Sequence, residues 1–272
     1  MAHPDRGFFR VIGNPVGHSK SPVIHAAFAA QEGLSLDYQT CLAPLDGFAA
    51  TVAELAAAGC KGANVTLPFK IAAFELCSRL SSRAQAAGAV NTLSFDGVDI
   101  AGDNTDGAGL VADIVKNAGV AIAGKRVLLV GAGGAARGAI LPLLEQLPGS
   151  LTLVNRTAAT AHALAAQFEG RVVATEFADL SGPFDIIINA SSSSLAGQVP
   201  PLPAGVFHDQ SLALDMMYGS APTLFMEFAA SHGARVRDGL GMLVEQAAEA
   251  FYGWHCVRPA TASVLASLRE AA

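Results

Sequence analysis

The chain has 272 residues, 51% of them hydrophobic and 15% charged, with a formal net charge of −6 at pH 7. That is enough for one large or two ordinary domains with well-buried cores, and an acidic balance without a long basic run argues against nucleic acid as a partner. No stretch of about 18 uncharged apolar residues is present to span a membrane; residues 1–10, with Asp5 and Arg6, lack the apolar core of a secretion signal; and Cys41, Cys60, Cys77 and Cys256 form neither a C-x-x-C pair nor a zinc-ligand cluster, so reduced, mostly buried thiols in a cytoplasmic protein without a metal site are expected.

Phe8–Ile12 reads as a first strand, left through Gly13-Asn-Pro15. Gly17-His-Ser-Lys-Ser-Pro22 leads into a helix over 22–32. Pro22 suits the first helical turn and Ser21 the N-cap. The cap does not account for His18, Ser19 and Lys20 beside it, and hydroxyls at a helix N-terminus suit a carboxylate. A strand over 36–42 and a helix over 48–58 follow. Ala63–Leu67 is a short strand stopped by Pro68. Asn64, Thr66 and Lys70 lie in and just after its carboxyl end, where open α/β sheets hold their ligands; taken alone, Lys70 is equally a solvated charge.

A helix is expected over 71–80. Gly88-Ala-Val-Asn-Thr-Leu93 begins the next strand region, and Phe95-Asp-Gly97 marks a hairpin turn. Ile100-Ala-Gly-Asp-Asn-Thr-Asp-Gly107 reads as a polar loop with Asp103 and Asp106, either a plain turn or the N-cap of a helix over 108–117. Its spacing is not that of a calcium loop.

Val127–Val130 reads as a buried parallel strand, followed by the glycine turn Gly131-Ala-Gly-Gly-Ala-Ala-Arg-Gly138 and a helix. This is the context a dinucleotide fingerprint requires. Gly131 permits the turn, Gly133 admits a pyrophosphate, and Ala136 is small enough to pack the helix on its strand. The helix N-terminus faces the phosphates. The next strand ends in Asn155-Arg156-Thr157 with no acidic residue to hold ribose hydroxyls. A guanidinium and a hydroxyl bind a 2′-phosphate that a carboxylate would repel, so the pattern favours NADP over NAD. The alternative is a solvated arginine and an N-capping threonine. Strands over 126–130, 151–155, 171–175, 185–190, 212–216 and 234–237 alternate with helices. Pro142 falls inside the first of those helices. The serines of 191–194 lie at a strand's carboxyl end, where a nicotinamide ribose would sit. Two helices, over 241–255 and 259–270, close the chain.

Taken together, Gly13-Asn-Pro-Val-Gly-His-Ser-Lys-Ser-Pro22, Asn64-Val-Thr-Leu-Pro-Phe-Lys70, Gly88-Ala-Val-Asn-Thr92, Gly102-Asp-Asn-Thr-Asp-Gly107, Gly131-Ala-Gly-Gly-Ala135, Asn155-Arg-Thr157 and Gly239-Leu-Gly-Met-Leu-Val244 resemble the bacterial biosynthetic shikimate dehydrogenases, in the family's order and over nearly the whole chain. The resemblance implies reversible NADPH-dependent reduction of 3-dehydroshikimate to shikimate on the route to chorismate and the aromatic amino acids. It implies Lys70 and Asp106 as the groups flanking the reacting hydroxyl, and Ser19 and Ser21 as holders of the substrate carboxylate. It assigns Thr66, Asn91, Asp106, Tyr218 and Gln246 to the ring and its hydroxyls. It assigns Gly131, Ala132, Gly133, Gly134, Ala135, Asn155, Arg156, Thr157, Met216 and Gly239 to NADP. The chain departs from the family at Ser191, where threonine is frequent, at Cys77–Arg83, which lacks the usual acids, and at Tyr218-Gly-Ser-Ala-Pro222.

The expected fold class is therefore α/β. Two α/β domains flank a cleft, the second a Rossmann-type doubly wound parallel sheet. The substrate and catalytic domain is expected over 1–106 plus 239–272, and the NADP domain over 107–238, with hinged closure expelling water. The expected partner is the small-molecule substrate, in a monomer or homodimer. The rival readings are an NAD-dependent quinate/shikimate dehydrogenase, disfavoured by Arg156, and a non-catalytic NADP-binding homologue, disfavoured by Lys70 and Asp106.

Overall fold

The computed structural model describes residues 7–97, 99–194 and 197–271. The chain divides into two compact units, Met1–Gly109 with Val244–Glu270, and Leu110–Leu243.

The first unit contains β1 (Phe8–Gly13), α1 (Ser21–Gln31), β2 (Asp37–Leu42), α2 (Phe48–Ala57), β3 (Cys60–Val65), α3 (Lys70–Leu76), β4 (Arg79–Leu80), α4 (Ser82–Ala87), β5 (Thr92–Asp96) and β6 (Asp99–Asp103). Its sheet has the order β2-β1-β3-β5-β6-β4. β2, β1 and β3 run parallel, and β5 joins β3 and β6 antiparallel. The hairpin turns at Gly97, whose φ of 62° lies in the left-handed region that glycine adopts without a side-chain clash. Ile12, Phe48, Val65, Phe69, Val90 and Leu93 pack into one apolar cluster.

Three stretches of this unit differ from expectation. The helix expected over 71–80 stops at Leu76, because Cys77 turns extended and Ser78 N–H bonds the Ile100 carbonyl. That pairing starts β4, and Ser81 then caps α4, a helix not expected from the sequence, through a bond from Ala84 N–H. The loop expected from Ile100 begins as β6, because its backbone pairs with β5. Ser21 is the first helical residue rather than the N-cap; Lys20 holds the cap position without a side-chain bond.

α5 (Asp106–Ala112) and, later, α9 (Leu240–His255) are the segments in which the chain passes from one unit to the other. A π-helical turn, Asp113–Asn117, replaces the end of the expected helix over 108–117. The second unit continues with β7 (Arg126–Val130), α6 (Gly134–Glu145), β8 (Ser150–Val154), α7 (Ala158–Ala165), β9 (Val173–Thr175), β10 (Ile186–Asn189), β11 (Leu212–Asp215), α8 (Leu224–Ser231) and β12 (Arg235–Arg237). α6 continues through Pro142. All strands pair in parallel, in the order β12-β11-β10-β7-β8-β9. This is the doubly wound dinucleotide-binding order, with its switch point at β7 and β10. Val127 and Leu129 pack into one apolar cluster, Leu128 and Val130 into another. Alternate residues of one strand thus serve two cores, which is why the strand reads as an unbroken apolar run.

α10 (Ala262–Glu270) returns to the first unit, where Gln31 bonds the Ala260 carbonyl and Ser263. Trp254 of α9 donates to the Leu93 carbonyl. No disulfide forms among the four cysteines, but the expectation of mostly buried thiols is not met: Cys60 is buried, Cys41 and Cys77 are half-buried and Cys256 is exposed. Among the described residues no helix is long and apolar enough to cross a membrane.

His25, on the buried side of α1, has none of its surface exposed and its ring stacked on Tyr38, centroids 4.2 Å apart. Burial, aided by His255, drives its pKa down to about 3. The folded protein therefore keeps His25 neutral while the unfolded chain protonates it near its ordinary value. Stability from this group is present above that value and falls by about 1.4 kcal/mol per pH unit as pH drops towards 3. Urea unfolding of His25→Phe between pH 7 and pH 4 is expected to show a shallower acid slope than the parent chain. Equal slopes would assign the acid limb to other groups.

Candidate active site

The polar centre of the first unit forms where two helices begin. Lys70 is the first residue of α3, and Asp106 the first of α5. A cation at a helix N-terminus meets the positive end of the dipole and is disfavoured there, whereas a carboxylate is favoured. The pair resolves the conflict: Lys70 Nζ lies 2.5 Å from Asp106 Oδ2, with side chains 29% and 16% exposed. The lysine is thus partly open to solvent and held from one side by an oriented carboxylate.

Asn91 holds that carboxylate in turn. Its Nδ2 donates to Asp106 Oδ1 at 2.9 Å and approaches Thr105 Oγ1 at 2.9 Å and Gln246 Oε1 at 3.3 Å. Its Oδ1 accepts from the Thr105 N–H at 2.9 Å. Thr105 Oγ1 lies 3.2 Å from Gln246 Oε1. The backbone completes the tie: Asn91 N–H bonds the Asp103 carbonyl, and Val65 N–H bonds the Asn91 carbonyl. Asn104 caps the start of α5 from below, its Oδ1 accepting from Asp106 N–H and its Nδ2 donating to the Ala89 carbonyl. Asn91, Asp106, Lys70 and Gln246, named separately from the sequence, are therefore one hydrogen-bonded cluster. Thr105 and Asn104 belong to it as well; only their place in Gly102-Asp-Asn-Thr-Asp-Gly107 could have signalled them.

Asp103 is engaged on another side, by Ser81, by Arg83 and by its neighbour's N–H. Burial works to raise its carboxyl, but these donors outweigh it and hold the group below the usual carboxylate range. Arg83 also reaches Glu249 at 3.0 Å. Asp103 is thus a brace for the loop, and only Asp106 faces the lysine.

Ser19 and Ser21 stand at the start of α1, with Ser21 N–H bonding Ser19 Oγ at 3.3 Å. Ser21 is buried. Thr66 follows β3, its N–H on the Ile12 carbonyl. A Cβ at Gly13 would run into the Thr66 methyl, so the glycine lets this threonine sit against the end of β1.

The second unit carries the glycine turn at the carboxyl end of β7. Gly131 has φ 111°, and a Cβ there would come within 3.1 Å of the Ala190 backbone. At Gly133 and Gly134 a Cβ would meet nothing within 4 Å, and α6 starts at Gly134 without a side-chain cap. Free N–H groups at an uncapped helix start, over an open glycine backbone, form a cradle for a pyrophosphate. Ala132 and Ala135 line the same turn, the former buried. Gly131 N–H bonds the Val154 carbonyl at 2.7 Å, so the turn adjoins the end of β8. There Asn155 Nδ2 folds back on the Thr157 carbonyl at 3.0 Å, while Arg156 and Thr157 are exposed. Thr157 occupies the N-cap position of α7 but makes no capping bond with its side chain, so its hydroxyl is not committed to the helix. These residues fit an NADP whose extra phosphate meets a guanidinium.

Met216 and Gly239 lie together: a Cβ at Gly239 would overlap the Met216 carbonyl, and Gly239 N–H bonds the Met217 carbonyl at 2.9 Å. Burial pushes the phenol of Tyr218 above its ordinary range, though the residue is 41% exposed. The turn holding Met217 is anchored by Asp215, fully buried, which accepts from Met217 N–H, Ser194 Oγ and Thr223 Oγ1. Among the described residues no His, Cys, Asp or Glu cluster is built to hold a metal.

Comparison with known proteins shows the family of the chain. Residues 11–93 match the family model of the shikimate dehydrogenase substrate binding domain, and 113–196 that of shikimate/quinate 5-dehydrogenase. The chain is 60% identical to a protein of Herminiimonas arsenicoxydans named shikimate dehydrogenase (NADP(+)), covering 96% of both chains. The crystal structure of an Ael1 enzyme from Pseudomonas putida superposes with a TM-score of 0.93 at 45% identity, covering 96% of this chain and 98% of that one. Shikimate 5-dehydrogenase of Thermus thermophilus, in complex with NADP(H) and shikimate, gives 0.87 at 32% identity, over 98% of this chain and 100% of that one. The chain belongs to the shikimate dehydrogenase family, the NADP-dependent oxidoreductases that interconvert 3-dehydroshikimate and shikimate.

Proposed function

We propose that in this chain Lys70 is the proton donor and acceptor of the family's reaction, with Asp106 orienting it. The observation that carries the reading is the 2.5 Å pair between them, with Asp106 Oδ1 pinned by Asn91. Hydride transfer to the carbonyl carbon leaves negative charge on the ring oxygen. Lys70 Nζ supplies a proton there in reduction and recovers it from the hydroxyl in oxidation. NADPH, when bound, supplies the hydride. Asp106 keeps the ammonium aimed, and its second oxygen cannot rotate away because Asn91 holds it.

In the same reading the first unit seats the substrate and the second the cofactor. Ser19 and Ser21 receive the carboxylate, and Thr66, Asn91, Asp106 and Gln246 receive the ring hydroxyls together with Tyr218. The Gly131–Ala135 turn holds the pyrophosphate and Asn155, Arg156 and Thr157 the 2′-phosphate end. Met216 and Gly239 border the nicotinamide. The small-molecule substrate is then the partner, in a cytoplasmic monomer or homodimer.

Lys70→Ala is expected to lower kcat by about a hundredfold to ten-thousandfold, the usual range for removing a general acid–base, with little change in the KM for shikimate. Initial rates at 340 nm report both. A variant that keeps its kcat and only raises KM would make Lys70 a binding group.

Arg156→Ala is expected to weaken NADP binding by roughly 1.5–3 kcal/mol, the worth of a charge-assisted contact, and to leave NAD binding nearly unchanged. Titration calorimetry with both nucleotides decides it; equal losses would show that Arg156 only supports the fold.

A further inference from the structure

The orientation of the Asn91 amide is decided behind it, in the sheet. Asn64 of β3 stands directly opposite Thr92 of β5 in the antiparallel register, and both residues are buried. One amide atom of Asn64 lies 3.2 Å from the Asn91 carbonyl. A backbone carbonyl only accepts, so that atom is the nitrogen. Its second N–H goes to Thr92 Oγ1 at 3.1 Å, while the Asn64 oxygen takes the Tyr38 hydroxyl at 2.7 Å. Thr92 Oγ1 accepts from Asn64, so its one proton is left for the Asn91 side chain, 2.9 Å away. The Asn91 atom that receives this proton is therefore the oxygen. The Thr105 N–H, a donor only, meets the same atom at 2.9 Å. With the oxygen settled, the Asn91 nitrogen is the end that donates to Asp106 Oδ1. The hydrogen bonds thus run one way, from Tyr38 through Asn64, Thr92 and Asn91 to Asp106.

We propose that Thr92 is a positioning residue for the family's reaction, its hydroxyl setting which end of the Asn91 amide faces Asp106. The proposal rests on the reading of Lys70 and Asp106 as the acid–base pair. An Asn91 amide turned over would bring its carbonyl oxygen against the carboxylate, acceptor against acceptor. Asp106 would lose the N–H that holds Oδ1, and Lys70 the fixed partner that aims it. The neighbours on the nitrogen side do not discriminate between the two orientations. Thr105 Oγ1 lies 2.9 Å from the Asn91 nitrogen and 3.2 Å from its oxygen, and a hydroxyl can donate or accept. Gln246 carries an amide of its own, with donors as well as an acceptor. The orientation therefore depends on the two committed donors to the oxygen, the Thr105 N–H and the Thr92 hydroxyl. The second is the one that a substitution can remove.

The test is kcat for shikimate oxidation at saturating NADP and shikimate. Thr92→Val keeps the branched shape and removes the hydroxyl; Thr92→Ser keeps the hydroxyl and removes the methyl. In Thr92→Val kcat is expected to fall about three- to tenfold, the worth of one net hydrogen bond, and in Thr92→Ser to stay near the parental value. Because Thr92 acts through Asn91, Thr92→Val is expected to lower kcat no further in an Asn91→Ala background. Three results overturn the proposal: a parental kcat in Thr92→Val, equal losses in the valine and serine variants, or a valine loss that persists in full without the Asn91 side chain. Should the valine protein fail to fold, Thr92→Ala enters the same cycle with the same expected loss, and the same results count against it. Asp106→Ala separates this failure from that of the reading beneath it. If Asp106→Ala is slow while Thr92→Val turns over normally, the acid–base pair stands and the role of Thr92 falls. If Asp106→Ala keeps the parental kcat, the reading of the pair is itself wrong and the role of Thr92 falls with it.

Discussion

The side chain of Asn91 is the constraint on which the Lys70–Asp106 pair depends. Its N–H groups and its oxygen reach Asp106, Thr105 and Gln246, while its backbone joins the end of β3 to the loop that starts α5. Asp106 is therefore fixed from behind before Lys70 meets it in front. A lysine at a helix N-terminus opposes the dipole. Its placement there is stable because the carboxylate opposite is both charged and immobile. Asn91, Thr105 and Gln246 are all buried, and a buried polar cluster is tolerated when its members are satisfied by one another. This one joins three separate parts of the chain, the segment entering β5, the loop before α5 and α9.

The second unit uses buried charge for a different purpose. Asp113 is wholly buried and takes two bonds from Arg237, at 2.6 and 3.0 Å, and one from Asn117 at 2.9 Å. Removing one partner of such a pair typically costs about 3–5 kcal/mol, because the other charge is left buried alone. A Cβ at Gly241 would overlap the Asp113 carboxylate, so this glycine is required by the ion pair rather than by a turn. Asp215 plays the corresponding part at the end of β11. It gathers the serine loop, the Met217 turn and the N-cap of α8 on one carboxylate. The backbone beside Met216 is thereby held by a buried carboxylate.

The doubly wound unit is legible in the sequence because its signals are local. An apolar run, a glycine turn and a helix occur in order, and the strand pairing repeats that unit. Lys70, Asp106, Asn91 and the serines are legible through motifs that keep their spacing. What escapes such reading depends on distant pairing. β4 exists because Ser78 meets Ile100, and α4 because Ser81 then caps it. Ser21 has the composition of an N-cap, yet it stands one position inside the helix, with Lys20 at the cap. The π-helical turn at Asp113–Asn117 opens on a carboxylate bonded to Arg237, a distant pairing that no periodicity announces.

The central claim is that Lys70 and Asp106 act as one unit, and a double-mutant cycle on turnover tests it most directly. Lys70→Ala, Asp106→Ala and the double variant are compared for kcat in shikimate oxidation at saturating NADP. Residues that act as a unit lose their effect together, so the account predicts a double variant no slower than the slower single one. Losses that multiply would show two independent contributions and would contradict it.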